Sequence, residues 1–195
     1  MGGSGRTTIL SIDLDCVLRR RKPEKRSTQL VQRPRQSLVE LTALPGGAPL
    51  ALMLDTNVYI NRAAGRLAAS VRAVIDRALL FHCSVALAEL AVGVANADPS
   101  RPGWTALRDH YCQLFAAVPS SRLVTPDAQL WADAGVVAGT LARTQGFQPH
   151  QRKECLNDAL IFLAAAKAGI PVLTANRDEF DLIQQIAPDG RFMHY

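Results

Sequence analysis

The chain has 195 residues, of which 48% are hydrophobic and 20% charged, the composition of an ordinary globular protein. No apolar run approaches the roughly 18 residues needed to cross a bilayer, and the N-terminus lacks the basic-then-apolar order of a signal peptide. We therefore expect a cytoplasmic protein. The four cysteines form no CxxC pair and have no regular spacing, which argues against a zinc site or a disulfide framework and predicts buried thiols.

The net charge of +5 is concentrated at the start of the chain. Residues 1–49 hold nine Arg or Lys and four Asp or Glu, whereas residues 50–195 hold 13 of each sign. The densest part, RRRKPEKRSTQLVQRPRQ at 19–36, has few apolar residues and two prolines, so it is not expected to pack tightly by itself. It is interpreted either as a solvated arm or as a tether for nucleic acid or for an acidic protein surface.

The first predicted element is the segment TILSIDLDCVL at 8–18, whose alternation indicates a strand that could pair with a sheet edge or with another chain. Within it, DLDCV fits the D-x-D-x-[TV] opening of haloacid dehalogenase-like phosphatases, in which Asp13 would be the nucleophile and Asp15 the acid/base. Against that alternative, the motif continues directly into RRRK, and no convincing lysine motif or downstream acidic pair follows.

The Pro- and Gly-rich segment TALPGGAPLA at 42–51 is the clearest domain boundary, so we place an extension at 1–49 and a compact domain at 50–195. In this domain, strands are predicted at 50–54, 81–84, 122–124 and 171–174. Helices are predicted at 68–80, 86–96, 102–117, 126–144, 157–168 and 179–186. Strands separated by helices predict an α/β fold of three layers, with a parallel central sheet whose strand carboxyl ends share one edge.

Isolated acids follow or interrupt the apolar segments of this domain. Asp55 ends the first apolar run and opens the sequence Asp-Thr-Asn. Glu89 is the only charge in VALAELAVGVANA at 85–97, where an unpaired ionised side chain would be costly. Asp158 stands at the start of another nearly apolar helix, where it could also simply be a favourable acid of the first helical turn.

A polar cluster follows the strand PVLT at 171–174 in the same way, with Asn176, Asp178 and Glu179 after Thr174. Taken alone, the cluster could be a polar loop before a helix. Its position at the same sheet edge as Asp55, however, predicts a crevice of mutually repelling carboxylates that a divalent cation would neutralise. Oxygen ligands without His or Cys suit Mg²⁺ or Mn²⁺, and such a centre is typical of phosphodiester hydrolysis.

Three segments, MLDTNVYI, LAELAVGV and LNDALIFLAAAKAGIPVLTANRDEF, resemble the signature segments of the PIN domain, especially of VapC-type toxins, the ribonucleases of toxin-antitoxin pairs. The resemblance covers residues 50 to about 182. It implies a PIN-like fold, a Mg²⁺-dependent endoribonuclease acting on RNA, a cognate antitoxin, and a homodimer. Most VapC-type chains begin almost at the LDTN strand, so residues 1–49 are additional to the family pattern.

The resemblance also implies roles for single residues. Asp55 and Asp158 would be direct metal ligands, and Glu89 a ligand or a base that orients water. Exchanging Asp for Asn at position 55 or 158 would relieve like-charge crowding. Thr56 and Asn57 would orient the first loop. Flanking basic residues are candidates for phosphate contacts: Arg143, Arg152, Lys153 and Arg177.

The fourth acid departs from the simplest family pattern. Many relatives have Asp where Asn176 stands, and others combine Asn there with an acid before the Phe, which here is Glu179. We expect Thr174 and Asn176 to orient the substrate, with Asp178 as the acidic supplement and Glu179 as its competitor. Because the identity of the fourth acid is open, the number of bound metal ions, one or two, is open as well. The alternative function is a PIN-like module that binds nucleic acid or protein without cutting it.

Overall fold

The structure, a computed structural model, describes residues 12–44 and 50–195. Its five strands are β1 (Ala51–Leu54), β2 (Leu79–Cys83), β3 (Leu123–Val124), β4 (Val172–Thr174) and β5 (Phe192–His194). They form one parallel sheet in the order β3-β2-β1-β4-β5. The carboxyl ends of all five strands therefore lie at one edge of the sheet.

Eight α-helices flank the sheet in the described ranges: α1 (Leu14–Arg21), α2 (Thr56–Ala63), α3 (Ala69–Arg77), α4 (Ser84–Asn96), α5 (Trp104–Ala116), α6 (Ala128–Gln145), α7 (Pro149–Lys167) and α8 (Arg177–Ile186). Short 3₁₀ turns lie at 23–25, 35–37, 41–43 and 120–122. The predicted α/β fold with a parallel central sheet is confirmed.

The core is centred on β1, which lies in the middle of the sheet. In register, Met53 pairs with Phe81 of β2 on one side and with Val172 of β4 on the other. Leu52, Met53 and Leu54 are fully buried, because a central parallel strand is covered on both faces. The continuous apolar run before Asp55 is therefore explained by its place in the sheet.

Several elements begin earlier than the sequence indicated, or were not predicted. The helix α2 starts directly after Asp55, whose carboxylate caps it by accepting a hydrogen bond from Thr56 N. The helix α7 starts at Pro149 rather than at 157, after a capping box between Gln148 and Gln151. The edge strand β5 was not predicted, because its segment lacks the continuous apolar run that indicated the equally short β4.

The start of the chain differs most from its prediction. Residues 14–21 form the helix α1 instead of the predicted strand, with Asp13 as N-cap accepting from Cys16 N at 2.8 Å. Residues 8–11 of that predicted strand lie outside the described residues. So do residues 45–49, which hold the Pro and Gly of the proposed domain boundary. The division at residue 49 stays a prediction.

The described part of the extension packs on the rest of the protein. Arg21 is 3% exposed, and its side chain binds Asp133 in a fork, with Nε to Oδ1 at 2.7 Å and Nη2 to Oδ2 at 2.8 Å. It also pairs with Asp189. Further along, Leu41 is buried in the core. The basic stretch thus packs against distant acids, which local sequence patterns did not indicate.

The composition also gave expectations about the cysteines and about membrane-spanning segments. All four cysteines are free thiols, but only Cys83 and Cys155 are buried, so the expectation of buried thiols is wrong for Cys16 and Cys112. Within 12–44 and 50–195, none of the helices combines the length and the apolar character that a membrane span requires.

Candidate active site

Asp55 is fixed at the end of β1 by three hydrogen-bond donors. Its Oδ1 accepts from Thr56 N at 2.6 Å, and its Oδ2 accepts from Thr174 Oγ1 at 2.7 Å and from the Asn57 side-chain amide. The residue is only 2% exposed. Its carboxylate is therefore held in one orientation, buried but well supplied with donors.

Asn57 and Thr174 join the carboxyl ends of the two central strands. The Asn57 side-chain oxygen accepts from Ala175 N at 2.9 Å, and its amide donates to Thr174 Oγ1 at 3.3 Å. Thr174 Oγ1 also accepts from Asn176 N at 2.8 Å. These bonds tie the loop after β1 to the loop after β4, so the predicted orienting residues lie where they can position the acids.

Glu89 reaches this edge from α4 and is held from two sides. One carboxylate oxygen accepts from the Thr56 hydroxyl, and the other accepts from Asn157 Nδ2 at 2.7 Å. Asn157 was not among the predicted site residues. Its position directly before Asp158 in the Asn-Asp-Ala sequence was the available signal, because a polar side chain on a nearly apolar helix needs a partner.

Asp158, Asn176 and Glu179 form the other half of the site. Asn176 Nδ2 donates to Asp158 Oδ2 at 3.4 Å and to the Glu179 carboxylate. Asp178 instead accepts from Arg177 Nε at 2.7 Å, and its side chain is half-exposed. The structure therefore brings the competitor Glu179, rather than Asp178, to the predicted acids. We call Asp55, Glu89, Asp158 and Glu179 the acid group.

Burial and crowding both act on the acid group. Burial raises the pKa of Asp55 to about 6, against the hydrogen bonds from Thr174, Thr56 and Asn57, and the charge of Glu89 adds to the rise. Burial also raises the pKa of Asp158 well above its usual value, with further contributions from Asp55 and Glu179. Carboxylates in this arrangement resist simultaneous ionisation unless positive charge is supplied.

The donor set can be compared with the needs of a divalent cation. The possible metal ligands are the carboxylate oxygens of the acid group and the side chain of Asn176, and oxygen ligands of this kind suit Mg²⁺ and Mn²⁺. The crowding of the carboxylates also favours a bound cation. Within 12–44 and 50–195, however, no three His, Cys, Asp or Glu side chains are grouped so that they could hold a metal ion. The chemistry of the residues fits Mg²⁺, while coordination itself stays an expectation.

The two acids of the phosphatase alternative lie elsewhere. Asp13 caps α1, and its backbone N–H donates to the Gln129 side chain at 2.8 Å. Asp15 pairs with Arg19 at 2.7 Å on the exposed face of the same helix. In the described residues, both acids therefore belong to the start of a helix rather than to the predicted strand.

Comparison with known proteins relates the fold to toxin-antitoxin systems. No protein-family model and no curated protein matches the chain. Among solved structures, FitAcB from Neisseria gonorrhoeae has a TM-score of 0.55 at 20% identity, covering 73% of this chain and 96% of that one. DNA-bound VapBC from Salmonella typhimurium has a TM-score of 0.53 at 22% identity, covering 74% and 98%.

A third similar structure is VapBC-5 from Mycobacterium tuberculosis, described as a member of the VapBC family of toxin-antitoxin systems. Its TM-score is 0.51 at 23% identity, and the match covers 75% of this chain and all of that one. The resemblance drawn from the sequence motifs is thus confirmed for the fold. The chain has the PIN-like α/β fold of VapC-type proteins, and these matches leave about a quarter of it uncovered.

Proposed function

We propose that this protein is a metal-dependent endoribonuclease and the toxin of a type II toxin-antitoxin pair. The proposal depends on one observation: four separate elements deliver the acid group to the carboxyl edge of a parallel sheet, where α/β folds bind their ligands. A bound Mg²⁺ would supply an activated water and stabilise the leaving oxygen of a phosphodiester.

The roles of the chain's own residues follow from their hydrogen bonds. Asp55 and Asp158 would hold the cation, with Asp55 oriented by Thr174. Asn157 fixes the Glu89 carboxylate, which would be a ligand or a base that orients water. Glu179, rather than Asp178, would be the fourth acid, because Asn176 links it to Asp158.

The partners are also part of the proposal. The similar structures are complexes whose names pair two components, and one belongs to a toxin-antitoxin family. A cognate antitoxin that covers the acid group would inhibit the nuclease. The substrate of the nuclease would be RNA in the cytoplasm. We further expect a homodimer by resemblance to PIN-domain proteins.

Cleavage of end-labelled total RNA by purified protein tests the enzymatic claim. Wild type and the double variant Asp55→Ala plus Asp158→Ala are compared in Mg²⁺, in Mn²⁺ and in EDTA. We expect cleavage by wild type with metal and none by the double variant or in EDTA. Cleavage that survives both the double variant and the chelator would overturn the proposal.

A matched pair of variants tests which acid completes the group. Glu179→Gln and Asp178→Asn each remove one charge from the first turn of α8. We expect Glu179→Gln to lower the cleavage rate on the order of a hundredfold or more, since a metal-linked acid acts on the chemical step, while Asp178→Asn stays within a few-fold of wild type. The reverse order would restore Asp178 as the fourth acid.

The second candidate function is a nucleic-acid-binding module without catalysis. It is favoured by the observation that the described residues contain no group of three side chains arranged to hold a metal. This second function requires that the double variant still bind RNA and that neither wild type nor the variant cleave it. The phosphatase alternative would require that Asp13→Asn abolish activity while Asp158→Asn does not.

A further inference from the structure

A polar cavity of about 250 Å³ lies beside the acid group. It is lined by residues from three parts of the chain, Arg35, Asn176, Arg177, Asp178, His194 and Tyr195. We call it the arginine cavity. Asn176 belongs to both places, because its side chain donates to Asp158 and Glu179. The arginine cavity and the acid group therefore adjoin at Asn176.

The start of α8 contributes hydrogen-bond donors to the arginine cavity. No side chain caps this helix at Asn176, so the N–H groups of its first turn have no capping acceptor. Arg177, the first residue of α8, uses Nε and Nη2 to bind Asp178, at 2.7 and 2.6 Å. A guanidinium has five N–H donors, so Arg177 keeps donors for a second acceptor. A free helix start and a partly used guanidinium together favour an anion.

His194, which also lines the arginine cavity, has a ring nitrogen without a hydrogen-bond partner. It is only 2% exposed, and its Nε2 is the one buried side-chain N or O atom in the described ranges without a hydrogen-bond partner. Burial lowers the pKa of His194, and the charges of Arg35 and Arg177 lower it further, against Glu40. An unpaired buried imidazole nitrogen is costly, so this wall of the arginine cavity contains a polar group that lacks a partner within the described residues.

Arg35 comes from the N-terminal extension and is weakly engaged. Its side chain is 57% exposed, and its ion pair with Glu40 is long, at 3.7 Å. The acids Glu40 and Asp178 balance the two arginines, so the cavity has little net charge. Attraction for an anion would therefore come from directed hydrogen bonds rather than from a long-range field.

These contacts point to a phosphate as the occupant. A phosphodiester offers acceptor oxygens in several directions, matching donors that converge from a helix start, two guanidinium groups and an imidazole. We propose that the arginine cavity binds a phosphate of the RNA strand close to the one that is cut, with Arg35 and Arg177 as its charged contacts. This inference rests on the proposed ribonuclease function. It gives the N-terminal extension a role in substrate positioning.

RNA binding by metal-free protein tests the contact without cleavage. A fluorescent single-stranded RNA is titrated in EDTA at several salt concentrations with wild type, Arg35→Gln and Arg177→Gln. The matched control is Arg19→Gln, which removes the same charge from an exposed position of the extension outside the cavity. Thermal unfolding of each variant shows whether it is folded.

We expect Arg35→Gln to raise the Kd on the order of fivefold to tenfold, as for a lost charge-assisted hydrogen bond. The slope of log Kd against log salt should fall by about 0.7, the value for one phosphate contact on a single strand. Arg19→Gln should stay within about twofold of wild type, because it only removes a distant solvated charge.

Single methylphosphonate linkages in the RNA then identify the chemical group that is bound. One neutralised linkage should weaken binding to wild type but not further weaken binding to Arg35→Gln, as in a double-mutant cycle. Equal losses for both proteins at every linkage would show that Arg35 does not contact a phosphate, and would overturn the inference.

The outcomes separate this inference from the function on which it rests. If the protein cleaves RNA while Arg35→Gln and Arg177→Gln keep wild-type Kd and salt slope, the inference fails and the nuclease stands. If the variants instead lose only an acidic protein partner, a carboxylate is the occupant and the inference also fails. If wild type neither binds nor cleaves RNA, both are overturned.

Discussion

Asp55 and Asp158 carry the same charge in the same site but have different hydrogen bonds. The oxygens of Asp55 accept from Thr56, Asn57 and Thr174, so an amide at this position would turn an N–H toward a donor. Asp158 has one weak donor, Asn176 at 3.4 Å, and faces the carboxylate of Glu179. An amide at position 158 could donate to Glu179 and still accept from Asn176.

The same substitution should therefore have opposite effects at the two positions. In metal-free protein at pH 7, Asp158→Asn should raise the free energy of unfolding by about 1 kcal/mol, since it removes like-charge crowding. Asp55→Asn should lower it by roughly 1 to 2 kcal/mol, since it leaves a buried donor unpaired. Urea unfolding in EDTA measures both. A stability change of the same sign in the two variants would refute this account. If both variants were more stable, the expectation that Asp to Asn relieves like-charge crowding at either position would be supported instead.

The raised pKa of Asp55 also predicts how stability depends on pH. Its folded value of about 6 lies above the ordinary value, so the folded state holds a proton that the unfolded state has released. The stabilisation is complete below about pH 4 and is lost as pH rises through the folded pKa. Asp158, whose pKa is raised by burial, acts in the same direction.

For metal-free protein, we expect the raised pKa of Asp55 to contribute a fall of roughly 2 kcal/mol in the free energy of unfolding between pH 4.5 and pH 7, opposed by the lowered pKa values of His82 and His194. Urea unfolding in EDTA across this range measures the fall. Saturating Mg²⁺ should reverse it, because the cation binds the deprotonated carboxylates. The control Asp178→Asn should keep the wild-type slope. If Asp55→Asn shows the same pH dependence as wild type in EDTA, the raised pKa of Asp55 is contradicted.

Helix geometry explains why Glu179 rather than Asp178 meets the acid group. Asn176 is the N-cap of α8, and a residue three positions later lies on the same side of a helix, whereas a residue two positions later does not. The sequence contained both residues, but the boundary of α8 was predicted at 179 instead of at Arg177. The choice of acid therefore depended on a helix start that apolar periodicity could not define.

At the scale of elements, continuous apolar runs were predictable even in short strands, whereas elements held mainly by polar contacts were not. The strands β1 and β4 were indicated by buried runs ending in polar residues, and they place Asp55 and Thr174 as expected. The helix α1 was mistaken for a strand, because residues 8–18 alternate while its only buried residues are Val17 and Arg21. A helix fixed mainly by a buried arginine has no apolar periodicity to detect.

The docking of α1 depends on Arg21, and its loss should be costly. Arg21→Ala would leave the buried carboxylate of Asp133 with only Arg20, which binds it from a half-exposed position at 2.5 Å. We expect a loss of about 3 kcal/mol in the free energy of unfolding, measured in urea. Arg19→Ala, which breaks an exposed pair on the same helix, should cost less than about 0.5 kcal/mol.

A double variant distinguishes a missing charge from a missing contact in this prediction. Arg21→Met combined with Asp133→Leu replaces the buried pair by apolar side chains and should recover a large part of the lost stability. If the double variant is as unstable as Arg21→Ala, the packing of the long Arg21 side chain, rather than its charge, holds α1 in place.

At the scale of the whole molecule, the excess charge of the extension is partly neutralised within the chain. In the described residues, three of its arginines pair with acids of residues 50–195: Arg20 with Asp133, Arg21 with Asp133 and Asp189, and Arg33 with Asp181. These partners are more than a hundred residues away in sequence, so local charge patterns could indicate the excess but not its destination. Fewer basic side chains of the extension are therefore free to bind nucleic acid than the sequence indicated.

The extension also completes the sheet and the core. Glu40 forms a parallel bridge with His194, and His194 N donates to Val39 O at 3.0 Å, so residues of the extension cover the edge strand β5. Leu41 is fully buried, and burying a leucine contributes about 2 kcal/mol. Removing the extension would expose this edge and leave the buried carboxylates of Asp133 and Asp181 without their arginines.

A chain that begins at residue 50 should therefore unfold at a lower temperature than the full chain, or fail to stay in solution, even though the sheet and acid group lie within it. A peptide of residues 12–44 added in trans should raise its unfolding temperature in a saturable manner, because it restores both the ion pairs and the strand edge. The same peptide with Arg21→Ala should bind more weakly. Unfolding of the truncated chain at the temperature of the full chain would instead support the predicted division at residue 49, with the extension as a separate appendage.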